Sequence, residues 1–277
     1  MIFMRGLIDR NVTAIDQRLV LLAPPQQEVP ELFSNAVFDP PRHTALVHDV
    51  QRLRGTVYCS DGALRPEHLT ASGRHQIPED QRSWHLLLLN KAGQVSSCAW
   101  YLLHNRVHSV EALRVRSCPL NGSPEWRETF RAAVDNELER AYRDNLKYAE
   151  LGGWAISPNN RCTSDALLMA LATYSLSRTL GGALGLTTAT VRHGSSKILR
   201  RIGGSDVQID GSTVPMYYDP HYMCDMELLR FDSRQPNRKY APLVDQMSER
   251  FAEVQVISRE YDERRNPIPS FDELFAA

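Results

Sequence analysis

The stretch that decides the fold comprises residues 148–168, with the sequence YAELGGWAISPNNRCTSDALL. Its first part, residues 148–156, has the apolar and aromatic character of a β-strand. A turn with Pro158 follows, and the apolar run 166–180 predicts a buried helix. The first backbone N–H groups of a helix have no partner inside it, and the helix dipole adds to their attraction for an anion. The stretch therefore predicts a strand, a turn and a helix that together bind a phosphate group.

The segments on either side predict strands and helices in alternation. The spacing of apolar residues predicts helices over residues 42–58, 123–142, 195–201 and 243–257, and strands over residues 84–89, 94–103, 186–191, 216–218 and 223–231. A strand–helix–strand unit needs parallel strands, whereas a hairpin such as 84–103 is antiparallel. The predicted fold class is therefore α/β, with a mixed central sheet and helices on both faces.

Three regions are predicted along the chain. Residues 1–41 contain Pro24, Pro25, Pro30, Pro40 and Pro41, which indicate an N-terminal arm with little regular structure. Residues 42–235 carry the predicted sheet and form the main domain. Residues 236–277 follow as a helical C-terminal extension.

Composition excludes several classes of protein. The 277 residues carry a net charge of -1, so the strong basic excess of general nucleic-acid binding is absent. Five widely spread cysteines without a C-x-x-C pair argue against a disulfide framework or a zinc ribbon. Neither a signal peptide nor a membrane span is expected, because the first residues are charged and the apolar runs are short. We expect a soluble, cytoplasmic protein that binds no nucleic acid.

The segment from Ile156 to Ala166 resembles the donor-binding signature of the GNAT superfamily, V-x-P-x-x-R-x-x-G-x-G/A. It matches at Ile156, Pro158, Arg161 and Ala166, and Ser164 replaces the first glycine. The resemblance implies a GNAT-like three-layer fold and an acyl donor carried on coenzyme A or on a phosphopantetheine arm. The residues that it implies for donor binding are Trp154, Ile156, Arg161, Cys162, Thr163, Ser164, Asp165 and Ala166. Asp165 is a departure, because an acid in this turn repels a phosphate unless it points away.

The downstream segment narrows the resemblance. Leu199 stands where many family members have a tyrosine that acts as general acid, and Leu199-Arg-Arg-Ile-Gly is similar to the acyl-homoserine lactone synthases and long-chain N-acyl amino acid synthases. The segments Arg54–Tyr58 and Glu150–Ile156 resemble the same branch, although Gly152-Gly153 replaces a hydroxyl–Arg pair. This resemblance implies an N-acyltransferase that moves a medium or long acyl chain to the amine of an amino acid or a similar acceptor.

The resemblance also gives roles to individual residues. A neutral amine must attack the thioester, and Glu150 is the candidate general base, with a buried ion pair as the alternative reading. Backbone N–H groups near residues 154–156 would hold the developing oxyanion. The residues expected to bind substrate are Arg54, Tyr58, Trp84 and Trp100. For Arg54 the alternative is an ion pair with Asp80, which we favour over contact with substrate.

A basic cluster follows the strand at 186–191. The cluster consists of Arg192, Lys197, Arg200 and Arg201. One interpretation is that it steers an acidic acyl carrier protein, and the other is that it is a solvated helix face. No metal site is expected, because His104 and His108 lack a third ligand. The departures from the signature leave a second hypothesis, a non-catalytic GNAT-fold protein that senses a ligand or binds a partner.

Overall fold

The computed structural model describes residues 19–161, 163–192 and 194–261. Its strands are β1 Leu19–Leu22, β2 Ala36–Phe38, β3 Trp84–Leu89, β4 Val95–His104, β5 Lys147–Ile156, β6 Ala183–Thr190, β7 Ser205–Asp206, β8 Gln208–Ile209, β9 Ser212–Thr213, β10 Tyr217–Asp219, β11 Cys224–Asp232 and β12 Gln255–Ser258. Its α-helices are α1 Pro40–Ser60, α2 Pro119–Gly122, α3 Arg127–Arg143, α4 Asp165–Thr179, α5 Ser195–Ile202 and α6 Ala241–Arg250. The 3-10 helices are Pro66–His68, Pro78–Gln81, Val110–Ala112, Arg114–Ser117, Pro158–Asn160 and Phe251–Glu253.

One large mixed sheet organises the chain. Its strand order is β10-β11-β6-β5-β4-β3-β1-β12-β2, and β7 pairs with β11 beside this path. The pairs β5–β6, β1–β12 and β12–β2 are parallel, and the other pairs of this sheet are antiparallel. The predicted mixed sheet is therefore confirmed.

Helices cover both faces of the sheet, as predicted. Alternate residues of a strand point to opposite faces. Accordingly Leu19 and Leu21 pack in the core with α4 and α6, whereas Val20 and Leu22 pack with α1. The helix α3 lies on the same face as α1 and packs against Tyr148 and other residues of β5, β6 and β11. The result is three layers, with α1 and α3 on one face and α4, α5 and α6 on the other.

Both chain ends of the described region join the sheet, which the sequence did not predict. The helix predicted to reach residue 257 ends at Arg250, and β12 lies between β1 and β2. Val256 and Ile257 are fully buried there, because their branched side chains fill the sheet core. The strands β1 and β2 come from the predicted N-terminal arm. The sheet therefore crosses both predicted boundaries, at 41/42 and at 235/236.

A gap opens between β5 and β6 and positions the site. The two strands pair from Lys147–Ala183 to Leu151–Thr187, and β5 then continues to Ile156 without a partner on this side. On the other side, the register between β4 and β5 shifts between Cys98 and Trp100. Gly153 lies at this bulge with φ of 64°. A bulge that begins with a left-handed glycine bends the strand, so β5 turns away from β6.

Among the described residues, no helix is long and apolar enough to cross a membrane.

Candidate active site

A cavity of about 520 Å³ begins at the gap between β5 and β6 and reaches both faces of the sheet. On the face of α1 and α3 it is bordered by Arg54, Tyr58, His75, Trp100, Arg114 and Tyr222, which we call the polar end. On the face of α4 it is bordered by Ala149, Met169, Ala170, Thr173, Ala183, Gly185 and Phe231, which we call the apolar end. The cavity therefore has lining residues on both faces of the sheet, next to the place where β5 and β6 separate.

The predicted phosphate turn lies at the mouth of the cavity. Arg161, Thr163 and Ala166 border it, as do Trp154 and Ile156 at the end of β5. Ser164 is the N-cap of α4, and Cys162 lies outside the described residues. The structure therefore brings most of the predicted donor-binding residues together around one opening.

Asp165 points away from this opening. Its side chain is 3% exposed, and its carboxylate accepts hydrogen bonds from Asn160 Nδ2 at 2.8 Å and Ser97 Oγ at 3.4 Å. The carboxylate thus braces the turn against β4 from the interior. The first turn of α4 is left without an acidic side chain facing the mouth, which is the condition that phosphate binding requires.

Arg161 has an acidic neighbour across the mouth. Its Nη2 lies 2.7 Å from Asp61 Oδ1, and Asp61 directly follows α1. The guanidinium is partly exposed. It is therefore accessible to an anion of higher charge than the Asp61 carboxylate, such as a phosphate. The contact connects the phosphate turn to the end of α1.

The glycine pair of β5 makes room for an indole. The Trp100 ring lies against Gly152 and Gly153, and a Cβ atom on Gly153 would lie 2.2 Å from Trp100 Cδ1. This contact explains the two glycines at positions where the resembling branch has a hydroxyl–Arg pair. Next to the bulge, the Tyr58 hydroxyl donates a hydrogen bond to the Trp154 carbonyl oxygen at 3.3 Å. Burial raises the pKa of Tyr58, so this hydroxyl stays protonated.

A buried ion pair lies behind the polar end. Arg54 Nη2 is 2.7 Å from Asp80 Oδ2, and both side chains are at most 1% exposed. Gln51 Nε2 donates to the same carboxylate at 2.9 Å. Burial alone would raise the pKa of Asp80, but the charge and hydrogen bond of Arg54 outweigh it and lower that pKa. The predicted Arg54–Asp80 pair is confirmed, and it joins α1 to the 3-10 helix Pro78–Gln81.

Glu150 lies on the polar-end face, beneath the segment that carries Arg114. Its carboxylate accepts hydrogen bonds from the backbone N–H groups of Arg114 and Val115, both at 2.8 Å, and lies 3.1 Å from His104 Nε2. The side chain is 4% exposed. Its neighbours in the strand, Ala149 and Leu151, border the cavity from the other face. The catalytic role of Glu150 stays a prediction, and its contacts show that it anchors the backbone of Arg114.

Arg114 is a cavity residue that the sequence did not reveal. Its guanidinium lies 5.6 Å from the centre of the Trp100 ring, 3.5 Å from Glu79 Oε2 and 3.4 Å from the Tyr222 hydroxyl. These partners are separated by up to 108 residues in the chain, so no local motif signals them. His75 and Tyr222 were missed for the same reason.

The remaining predicted residues fall in two places. Tyr58 and Trp100 border the cavity, whereas Trp84 packs in the core with its ring centre 5.6 Å from that of Phe33. In the basic cluster, Arg200 pairs with Glu227 at 2.9 Å and also with Asp206. Lys197 and Arg201 are exposed on α5. Leu199 borders the cavity from the same helix.

Comparison with solved structures assigns the fold. A coenzyme A-dependent acyl-homoserine lactone synthase, BjaI, solved with SAM and isopentyl-CoA, shares 11% identity over 91% of this chain and 99% of its own, with a TM-score of 0.51. A second coenzyme A-dependent synthase, MesI, shares 12% identity over 85% of this chain and 95% of its own, with a TM-score of 0.50. No family model and no curated protein matches the sequence.

The fold is therefore the GNAT-like three-layer fold that the sequence predicted. In fold, the chain is similar to these two acyl-homoserine lactone synthases over most of its length. At sequence identities of 11–12%, the structural similarity establishes the fold and nothing finer. The function therefore has to be argued from the site.

Proposed function

We propose that this chain is an N-acyltransferase that moves a medium or long acyl chain from a thioester donor to the amine of an amino acid or a similar small acceptor. The observation that carries the proposal is the cavity that crosses the sheet between β5 and β6. It gives one opening beside a phosphate turn and two ends of different chemistry, one for each substrate of a transfer reaction.

The donor would enter at the phosphate turn. Arg161 and the first backbone N–H groups of α4 are suited to phosphates of coenzyme A or of a phosphopantetheine arm. The acyl chain would follow the apolar end, whose lining along α4 runs from Ala166 to Ser177. Eleven residues of helix cover roughly 16 Å at 1.5 Å per residue. That length supports a medium or long acyl chain over acetyl.

The acceptor would reach the thioester from the polar end. Its amine attacks the carbonyl carbon, and backbone N–H groups in the unpaired part of β5 are available to the developing oxyanion. A thiolate is a good leaving group, so the replacement of the tyrosine acid by Leu199 is compatible with turnover. The catalytic role predicted for Glu150 and carrier-protein docking at Arg192, Lys197 and Arg201 are part of this proposal. The pairing of Arg200 leaves three of the four basic residues for docking.

The test is a product search by mass spectrometry. The protein is incubated with acyl-CoA or acyl carrier protein of graded chain length and with pooled amino acids. We expect N-acyl products from medium or long donors. Donor binding is measured in parallel by calorimetry for wild type, Arg161→Gln and the control Arg52→Gln, which removes an exposed charge of α1. Arg161→Gln should weaken binding about tenfold, as expected for one charged hydrogen bond to phosphate.

A non-catalytic role gives a different result. The saturation of the Glu150 carboxylate by hydrogen bonds and the leucine at 199 are the observations that favour it. Donor binding without any product would support a ligand-sensing protein on this fold. Absence of both binding and product would contradict each function.

A further inference from the structure

The polar end of the cavity contains a histidine, His75, to which the proposed function above gives no role. His75 borders the cavity, and its ring centre lies 5.6 Å from that of Tyr58. Tyr58 in turn contacts the bulge of β5 through the Trp154 carbonyl. His75 Nδ1 is sealed in the interior, so Nε2 is the ring nitrogen that can reach the cavity.

The buried ion pair holds this histidine in place. Arg54 Nη2 donates to the His75 carbonyl oxygen at 2.9 Å, and the His75 N–H donates to the Gln51 carbonyl oxygen at 3.0 Å. The loop residue is therefore fixed to α1 by two backbone contacts. His75 Nδ1 is buried and has no hydrogen-bond partner among the described residues. The position of the ring is therefore set by the backbone of the loop and by its packing on Tyr58.

The surroundings keep the ring neutral. Burial, followed by the charge of Arg54, lowers the pKa of His75 to about 4. The other charged or titratable groups that act on it are Asp80, which opposes the shift, and His221 and Arg114, which add to it. At neutral pH one ring nitrogen thus carries no proton and is open to accept one. The lowered pKa makes the ring a weaker base than a free imidazole and its imidazolium a stronger acid, which favours return of the proton to a leaving group.

We propose that His75 is a catalytic residue of the proposed acyl transfer, with its Nε2 as the acceptor of the proton that the attacking amine gives up. This inference rests on the proposed function. The amine nitrogen forms the C–N bond, and one N–H proton passes to His75 Nε2. The C–S bond then breaks as the carbonyl re-forms, and the imidazolium returns the proton to the thiolate sulfur. Amine and thioester become amide and thiol with no further reactant.

The contrast with Glu150 supports this assignment. Both oxygens of that carboxylate accept backbone hydrogen bonds, so a proton there would disrupt the anchoring of Arg114. His75 has no such task on Nε2. With His75 as the proton acceptor, the catalytic role proposed for Glu150 above is replaced by that of a positioning residue, which acts on the polar end through Arg114.

The experiment compares His75→Gln with the control His68→Gln at the donor and acceptor found in the product search. His68 is an exposed residue near the same loop, and its ring packs on His221. We expect His75→Gln to lower kcat about 10²–10⁴-fold, the usual contribution of a general base, with donor affinity unchanged. His68→Gln should stay within a few-fold of wild type. Added imidazole should restore part of the rate of His75→Ala, an effect that a purely structural role would not give.

The outcomes separate the two proposals. Turnover by wild type with His75→Gln within tenfold of it overturns the role of His75 and leaves the acyltransferase intact. No turnover by wild type overturns both. If the variants do not fold, wild type is treated with diethyl pyrocarbonate and the modified residues are located by mass spectrometry. Full activity of protein modified at His75 overturns the inference, and loss of activity that parallels this modification supports it.

Discussion

The two ends of the cavity are built on different physical principles. The polar end contains an ion pair that is at most 1% exposed, a second arginine 5.6 Å from the centre of an indole ring, and a buried neutral histidine. The apolar end is bordered by alanines, a glycine, a methionine, a phenylalanine and a single threonine, Thr173. The polar end depends on buried charges that stabilise each other, whereas the apolar end depends on the volume of its side chains. We therefore expect few but severe effects at the first, and graded changes of substrate preference at the second.

The largest effect is expected from Asp80→Asn. It leaves the Arg54 charge buried without its partner, which typically costs about 3–5 kcal/mol. The control is Asp49→Asn, which breaks the exposed Asp49–Arg52 pair on α1, the helix that carries Arg54. This substitution should cost less than about 1 kcal/mol. Urea unfolding measures both. Equal costs would show that the buried pair is no more important than a surface pair.

The next effect concerns Gly153, at the junction of the two ends. Gly153→Ala places a Cβ in the left-handed region, at about 1–2 kcal/mol, and against Trp100, where overpacking adds roughly 1–3 kcal/mol. Gly93→Ala is the matched control, since its φ is 77° and a Cβ atom at this position would have nothing within 4 Å. The difference between the two unfolding free energies isolates the contact with Trp100. If the difference is zero, Trp100 moves aside without cost.

At the apolar end, Ala170→Leu should shorten the preferred acyl chain. One methylene in a hydrophobic pocket changes the discrimination between substrates by about 10–200-fold. Because leucine is larger than alanine by more than one methylene, kcat/KM for the longest donor should fall at least about tenfold. The shortest active donor should be little affected and serves as an internal reference. Ala92→Leu, on an exposed hairpin turn, controls for the substitution itself. A uniform loss over all donors would place the acyl chain elsewhere.

The last effect is a pH dependence that arises from buried histidines, among them His75 of the polar end. Burial lowers the pKa of His75 and of His85 to about 4, below the ordinary value of 6.5. Between these values the unfolded chain binds protons that the folded chain does not, so stability falls as the pH drops from 6.5 towards 4. The slope is about 1.4 kcal/mol per pH unit for each histidine. His75→Gln should reduce the slope, and Ala170→Leu should leave it unchanged. An identical slope in both variants would contradict the pKa assignment.

Local sequence patterns predicted the secondary structure correctly wherever residues within the segment determine it. The stretch 148–168 predicts its strand, turn and helix because alternation, proline and an apolar run act over a few residues. The resemblance at Arg161 added the GNAT fold, which the structure confirms. The helix predicted to reach residue 257 was wrong from Phe251 onward, because the pairing of β12 with β1 and β2 outweighs the helical spacing of apolar residues.

The sequence by itself determined the order of most central elements and the turn between β5 and α4. It also favoured the Arg54–Asp80 ion pair, which the structure shows. Only the tertiary structure decided the direction of Asp165, the shielding of Glu150 and the presence of His75 and Arg114 in the polar end. The physical reason is distance along the chain. Glu150 bonds residues about 36 positions away, and Arg114 contacts Tyr222 across 108. Such contacts form only when the sheet brings its strands together, and no local periodicity encodes them.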